Sequence, residues 1–477
     1  MSAAMVQMPA LWTSAEAAAA TGGRAEGAPW VATGVALDSR SVASGDLFVA
    51  LKGETADGHA YLADAFKRGA VAAMVHEIPA ARPMRPLLVV PDTMAGLMAL
   101  ATRARDRARP QVIAVTGSVG KTGTKEALKL ALAAHGSTYA SAGNLNSSTG
   151  APLALARMPA DAVYAVLEMG MNRAGEIGPN SRVARPHGAI VTTVEPVHLQ
   201  FFPSVEAIAD AKAEVFEGFA PGAFAVLNRD NPHFDRLAAK ARAHGADRII
   251  GFGAHTLAEA RLIDVGLSES ESTVVAEILG KRIVYRLPVP GRHWSMNTLA
   301  VLGAVAALGL PLEPSLAALT RLSVLKGRGL RQTVRLADGG SFELIDDSYN
   351  ASPVAVAGAL DILGRIHPPS RGRRIAILGD MRELGDAGPG LHAGLAPSVT
   401  SNHVDKLFLV GPLMRHLVEA LPAGIVQAHT QTSAEMAPIA AGAVRDGDVV
   451  TVKGSLGTNM APIVAALSAR GGVDGGR

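Results

Sequence analysis

Fourteen residues, "VTGSVGKTGTKEAL" from Val115 to Leu128, place two glycines, a lysine and a threonine where a strand would pass into a helix. The β-branched run "VIAV" (Val112 to Val115) reads as the strand, and "KTGTKEALKLALAA" reads as the helix. This order suits a phosphate group, because backbone N–H groups and the positive end of the helix dipole face the anion. Gly117 and Gly120 let the backbone come close, and Ser118, Val119 and Gly123 complete the cradle. Lys121 reaches the outer phosphates and Thr122 can ligate Mg²⁺. The usual pattern has a further glycine where this chain has Val115, yet none of these contacts depends on it.

A phosphate loop also needs acidic help with its metal. "AVYAVLEMGMN" (Ala162 to Asn172) is an apolar strand ending in Glu168. An acid at the C-terminal end of a parallel strand lies in the crevice where α/β sheets bind ligands, so Glu168 is a candidate Mg²⁺ ligand. A helix-capping acid is the alternative. "GAIVTTV" (Gly188 to Val194) leads to "EPVHL" and brings His198 to the same edge, although a lone histidine is more often structural.

Lys212 is the most unusual residue. "SVEAIADAKAEVFEGF" (Ser204 to Phe219) reads as a helix with Val205, Ile208, Val215, Phe216 and Phe219 on one face, and Lys212 falls inside that stripe. A buried bare ammonium is costly, so Lys212 must pair, lose its proton, be modified, or snorkel out along the stripe.

These groups need a scaffold. In 477 residues there is room for two to four domains of roughly 100–200 residues each. Apolar β-rich runs alternate with helical patterns, which predicts an α/β fold with mostly parallel sheets. The proline-rich "IPAARPMRP" (Ile78 to Pro86), followed by the short strand "LLVVP", and the basic "SVLKGRGLRQTV" (Ser323 to Val334) mark two boundaries. The expected domains are residues 1–90, 91–323 and 324–477.

Hydrophobic residues make up 48% and charged residues 18%, a globular balance, and a net charge of +3 gives no electrostatic footprint for nucleic acid. The cluster "SRGRR" at Ser370 to Arg374 reads as a solvated loop, and the glycine-rich tail "RGGVDGG" as disordered. The absence of cysteine excludes a disulfide scaffold and fits the cytoplasm. "MSAAMVQMPALW" lacks a basic region followed by an apolar core. The apolar run "LAVLGAVAALGLPL" (Leu299 to Leu312) falls short of the roughly 20 residues a membrane span needs and reads as a core helix. A soluble cytoplasmic protein is expected.

Taken in order, "TGSVGKT", "GNLNSSTGAPL" (Gly143 to Leu153), "EMGMNRAGEI" (Glu168 to Ile177), "VHLQFF", "GRHWSMNTLA" (Gly291 to Ala300), "KGRG", "IDDSYNASP" (Ile345 to Pro353) and "ILGDMRELG" (Ile377 to Gly385) resemble the Mur ligase family. "DSRSVASGDLFVALKGETADGHAYLADAFKRGA" (Asp38 to Ala70) resembles the nucleotide-substrate domain of the same ligases. The resemblance spans nearly the whole chain. It implies a small α/β domain for a nucleotide sugar, a central P-loop ATPase-like domain and a C-terminal Rossmann-like α/β domain. "EMGMN", "DDSYNASP" and "GDMRELG" point within the family to the branch that adds D-alanyl-D-alanine to UDP-N-acetylmuramoyl-tripeptide with ATP and Mg²⁺, through an acyl phosphate.

The same resemblance assigns roles. His198 and a carbamylated Lys212 would hold a second Mg²⁺. His293 and Asn297 would lie near the adenine, Arg328 would reach the phosphates from the domain junction, and Asp347 would bond the ribose. Asp38, Ser39 and Arg40 match the UDP-sugar loop, and Asn144 and Asn146 match a loop near the reacting carboxylate. "DSYNASP" with Asn350, "GDMRELG", and "TVKGSLGTNM" with Lys453 would surround the dipeptide. The family often has Asn at Ser147 and Arg at Leu456, which leaves Lys453 as the nearer cation at that loop. The ligase that adds the third amino acid is expected to carry Asp-Asn-Pro-Arg in its C-terminal domain. This chain has only "DNPH" (Asp230 to His233), in the central part. Folate polyglutamate ligases lack the N-terminal domain, and an ATP-driven switch remains the alternative from the P-loop alone. A monomer that closes its domains on substrate is expected.

Overall fold

The computed structural model describes residues 10–53, 56–79, 84–369 and 371–471. The start of "MSAAMVQMPALW", part of the first boundary, Ser370 and most of the glycine-rich tail lie outside the described residues.

Three large sheets carry the described residues, beside a two-stranded pair of Trp12–Thr13 and Val31–Ala32. The N-terminal sheet has five strands in the order Arg24–Glu26, Leu87–Val89, Ala72–Val75, Asp46–Val49 and Gly34–Ala36, parallel except for the first. The central sheet has nine. Its parallel part runs from Thr138–Ala140 through Tyr164–Glu168, Gln111–Thr116, Gly188–Val191, Phe224–Asn228 and Arg248–Gly253 to Ala260–Leu267. Ser272–Ile278 and Lys281–Leu287 extend it antiparallel. The C-terminal sheet has six strands, with Leu330–Arg335 antiparallel to Ser341–Asp347, followed by Val449–Lys453, Arg374–Gly379, Lys406–Val410 and Val426–Thr430 in parallel.

The inner parallel strands are apolar along their length because helices cover both faces. Val112 and Ala114 pack on one side of the central sheet with Leu167, Val191, Ile208 and Phe216. Ile113 and Val115 pack on the other side with Leu128, Leu132, Leu299 and Leu302. The run Leu299–Leu312 is a core helix as expected, but it is divided. The helix Arg292–Ala307 ends at a turn with Gly309 (φ 73°) and Pro311, and a second helix begins at Leu312. Proline cannot continue the first helix, and glycine supplies the left-handed turn.

The helix Thr93–Ala108 bridges two cores. Leu97, Leu100 and Ala104 pack with Trp12 and Ala17 of the N-terminal part, while Ala101 joins the central core. Side-chain bonds reinforce that junction: Trp12 Nε1 donates to Ala156 O at 2.9 Å and Arg157 Nε to Val35 O at 2.5 Å. The chain passes from Gln111–Thr116 outward to one side and later to the other, so a crevice opens at the C-terminal ends of these central strands.

Candidate active site

The strand Gln111–Thr116 runs one residue beyond the expected strand at each end, and the helix Lys121–Ala133 follows directly. Both glycines between them are required. Gly117 has φ 143°, and a β-carbon there would lie 1.9 Å from Thr192 Oγ1. Gly120 has φ 84°, and its β-carbon would meet Asn297 Oδ1 at 2.9 Å. The loop is held at its outer side by the chain after Gly188–Val191. Ser118 N donates to Thr193 O at 2.8 Å, Glu195 N to Ser118 Oγ at 2.9 Å, and Thr192 Oγ1 to Val119 O at 2.5 Å. Lys121 Nζ lies over the cradle and donates to Gly117 O at 2.8 Å. Burial pushes its pKa down, Glu168 opposes that shift, and Arg328 adds to it. Thr122 is buried in the first helical turn, and Gly123 packs beneath Trp294.

Glu168 ends its strand as expected, 1% exposed. Its Oε1 accepts from Asn146 Nδ2 at 2.7 Å, while its Oε2 is buried without a hydrogen-bond partner. An unpartnered buried carboxylate oxygen beside a phosphate loop fits a cation. Asn146 is thereby engaged with Glu168, whereas Asn144 is exposed on the same loop.

Lys212 is 2% exposed, on a helix Val205–Ala213 that is capped by Ser204 and followed by a 3₁₀ turn at Glu214–Phe216. The expected uniform helix is thus shorter, but Lys212 is buried on the helix whose Ile208 packs in one core with Val215 and Phe216. Burial drives its pKa well below the usual lysine value, and the nearby Lys121 charge adds to the fall.

His198 adopts φ 58°, and its Nδ1 lies 2.5 Å from Glu383 Oε2 of the C-terminal part. Glu383 has φ 65°, and its carbonyl accepts from Gln200 N at 3.1 Å. Two non-glycine residues in the left-handed region mark a constrained contact. Among the described residues no three His, Asp or Glu side chains form a ready metal cluster, so the expected metal set draws on Thr122 and Lys212 as well.

At the C-terminal sheet, two groups expected in separate roles meet each other. Lys453 Nζ donates to Asp347 Oδ2 at 2.7 Å and to Asn350 O at 2.9 Å. Burial raises the Asp347 pKa and Lys453 opposes that rise. The Arg328 guanidinium stacks 4.1 Å from the Tyr349 ring, and its charge is felt by both Lys121 and Asp347. His293 lies beside the Trp294 ring at the exposed start of its helix, within reach of the Lys453 charge. The two edges therefore face one another across the crevice.

Asp38, Ser39 and Arg40 form a turn after Gly34–Ala36 on the N-terminal sheet. Asp38 takes both a backbone and a side-chain bond from Arg40, which hold its carboxyl at about 2.

Two cavities lie at the strand ends; sequence reasoning missed the first, while the second gathers residues of "GDMRELG" and "TVKGSLGTNM". One of 370 Å³ adjoins the phosphate loop and is lined by Thr193, Glu195, Asn228, Asn231, His233 and Met296. Its signal was "LNRDNPH" at the end of the strand Phe224–Asn228, where Asn231 Nδ2 donates to Val194 O at 2.9 Å. The other, 310 Å³, lies at the C-terminal ends of the last sheet, with Asp380, Arg382, Thr432, Ser433, Thr458 and Asn459.

Family comparison accounts for this arrangement. The family model described as Mur ligase middle domain matches residues 115–305, the Mur ligase glutamate ligase domain matches 331–456, and the Mur ligase family catalytic domain matches 31–103. A UDP-N-acetylmuramoyl-tripeptide–D-alanyl-D-alanine ligase of Rickettsia prowazekii is 32% identical over 430 residues, covering 90% of this chain and 94% of that one. The chain belongs to the Mur ligase family. The Escherichia coli ligase of the same name is 31% identical over 451 residues, covering 94% and 96%. Among solved structures, MurF from Acinetobacter baumannii superposes with a TM-score of 0.83 at 29% identity, covering 96% of this chain and 99% of that one. MurF ligase from Thermotoga maritima in complex with ADP gives 0.76 at 26% identity, covering 92% and 97%. This Mur ligase is an ATP-dependent amide-bond-forming enzyme with the expected three-part α/β fold.

Proposed function

We propose that this Mur ligase joins D-alanyl-D-alanine to UDP-N-acetylmuramoyl-tripeptide, making the pentapeptide precursor of peptidoglycan. The observation that carries the chemistry is the buried Glu168 Oε2, left without a partner beside Lys121 and Thr122. The relatives' shared name supplies the substrates.

The tripeptide's terminal carboxylate oxygen attacks the γ-phosphorus of ATP. The bond to the bridging oxygen breaks and its electron pair leaves with ADP. Two anions meet in that step, so cations must neutralise both. Lys121 and Arg328 supply fixed positive charge, and the loop N–H groups receive phosphate oxygens. The dipeptide amine then attacks the acyl carbon, the tetrahedral intermediate expels phosphate, and the amine's surplus proton passes to solvent.

Thr122 and Glu168 would hold one Mg²⁺, and His198 with carbamylated Lys212 a second. Bound Mg²⁺ supplies charge neutralisation at the phosphate oxygens. The low pKa of Lys212 favours the free amine, whose nitrogen can bond the carbon of CO₂ with loss of a proton. The resulting carboxylate suits Mg²⁺, a hard cation that prefers oxygen ligands.

The 370 Å³ cavity, lined by Met296 of the helix that also carries Asn297 and His293, would take adenosine. The 310 Å³ cavity would take the dipeptide, with the Arg382 guanidinium for its carboxylate. The UDP group would lie at Asp38, Ser39 and Arg40, and the tripeptide would run toward Asn144 and Asn146. Domains 1–90, 91–323 and 324–477, a monomeric state and a cytoplasmic location belong to the same proposal. No helix among the described residues is long and apolar enough to cross a membrane.

The rival that adds a third amino acid finds no support in Asp230–His233. Asp230 accepts backbone bonds from Ala254 and His255, and the segment lines the central cavity rather than the C-terminal one. Phosphate release, measured with each substrate omitted in turn, tests the proposal. Release should require both the UDP-linked tripeptide and D-alanyl-D-alanine; steady ATP hydrolysis without either would refute it.

A further inference from the structure

We propose that Lys125 is a positioning residue for the ligation: it fixes the Ser141–Asn146 loop against the phosphate-loop helix and, through Asn146, aims the Glu168 carboxylate. Lys125 lies one helical turn beyond Lys121, on the same helix face. Its side chain is 0% exposed. The amine donates to Ser141 O at 2.7 Å and Gly143 O at 3.0 Å, and lies 3.0 Å from Glu126 Oε1. Two of the ammonium's three protons go to the loop carbonyls, and the Glu126 carboxylate pairs with its charge. Glu168 Oε2 is 3.9 Å away, beyond hydrogen-bond reach, so it feels the charge yet stays without a partner.

The loop that Lys125 grips is tied to Glu168 twice more. Ser141 Oγ accepts from Glu168 N at 3.1 Å, and Asn146 Nδ2 donates to Glu168 Oε1 at 2.7 Å. Gly170 N closes the ring by donating to Asn146 O at 2.7 Å. The amine thus sets the loop, the loop sets Asn146, and Asn146 holds one carboxylate oxygen so that the other points away. Core packing alone does not require an ammonium there, since well-packed apolar side chains replace buried ion pairs without loss of stability. A lysine that bonds two loop carbonyls and stops short of Glu168 preserves a cation site and the approach of the acid substrate together.

The inference rests on the ligase function, and one set of assays separates the two. The full chain and its variants K125M, N146A and K125M/N146A are compared by phosphate release at varied UDP-linked tripeptide and varied dipeptide. Mn²⁺ binding is followed by electron paramagnetic resonance with a non-hydrolysable ATP analogue. K125M should raise KM for the UDP-linked tripeptide about tenfold and lower kcat by a similar factor, with the dipeptide KM unchanged. It should also weaken Mn²⁺ binding severalfold. N146A should do the same, and the double variant should be no worse than the more damaged single one, because both act on one path. A K125M protein with a lower unfolding midpoint but unchanged KM and Mn²⁺ affinity overturns the inference, as do additive effects. If K125M does not fold, N146A decides, and unchanged KM and Mn²⁺ affinity in it overturn the inference equally. Wild-type release that ignores either substrate refutes the ligase function itself.

Discussion

The two edges that face the crevice treat charge in opposite ways. At the C-terminal sheet, Lys453 and Asp347 satisfy each other at 2.7 Å, and Asn350 O takes another amine proton. At the central sheet, Glu168 Oε2 is buried with no hydrogen-bond partner among the described residues, and Lys212 is 2% exposed with its pKa driven down by burial. Unpaired buried charge is expensive, so it persists where a ligand completes it. The central edge is therefore set for cations and phosphates. The C-terminal edge is assembled internally and presents a fixed surface to them.

Removing charge from the unpaired edge should have the largest effect. E168Q keeps the shape and the Asn146 contact but discards the negative charge. Its kcat should fall by about 10²–10³-fold, the range seen when one preorganised electrostatic partner is lost, and Mg²⁺ should be needed at higher concentration. Unfolding should be little changed or slightly stabilised, because a buried unsatisfied anion disappears. A Mg²⁺ titration of phosphate release, run beside chemical denaturation, checks both. An E168Q enzyme with the wild-type Mg²⁺ requirement would put the cation elsewhere.

The paired edge should behave differently. K453M strands the Asp347 carboxylate, and D347N leaves Lys453 without its counter-charge. Each single change should cost more stability than the double, with a coupling of about 0.5–3 kcal/mol by a double-mutant cycle. Ligation should drop about tenfold in each single variant, and the double should recover part of that loss. Additive losses would mean that the two residues touch substrate separately, as their expected roles near ribose and dipeptide had implied.

The contrast also explains what could be read without coordinates. The phosphate loop was legible because its glycines, Lys121 and Thr122 are neighbours in the chain, and local geometry follows from local residue types. Glu168 and Lys212 were legible because each breaks an apolar pattern at a definite register. The pairings were not. His198 meets Glu383 across 185 residues and Lys453 meets Asp347 across 106, and no local pattern carries such a contact. The sequence pattern singles out no role for Lys125. Only the return of the chain at Ser141 and Gly143 buries it. The 370 Å³ cavity depends on strand order, which places the ends of Gly188–Val191 and Phe224–Asn228 side by side.

The smallest expected effect concerns how the paired edge holds its loop. His392 is fully buried; its Nε2 accepts from Met381 N at 3.0 Å, and its Nδ1 lies 2.7 Å from Gly388 O. That arrangement requires the neutral ring with its proton on Nδ1. Burial lowers its pKa below the ordinary 6.5, against smaller opposing pulls from Gly388 O and Asp380. The unfolded chain then binds this proton more readily than the folded one. Stability from the neutral ring is complete above 6.5 and falls as the pH drops from there toward the lowered folded value. A tenfold difference in proton affinity between the folded and unfolded chains is worth about 1.4 kcal/mol. Protonation also removes the acceptor for Met381 N, next to Arg382 and Glu383, so the loop facing His198 should loosen with it. Denaturant unfolding at pH 7.5 and pH 5.5 should show a loss in the wild type that H392Q, whose side-chain carbonyl accepts at any pH, largely escapes. An equal loss in both would assign the acid sensitivity to other groups and leave the C-terminal edge held by Lys453 and Asp347 alone.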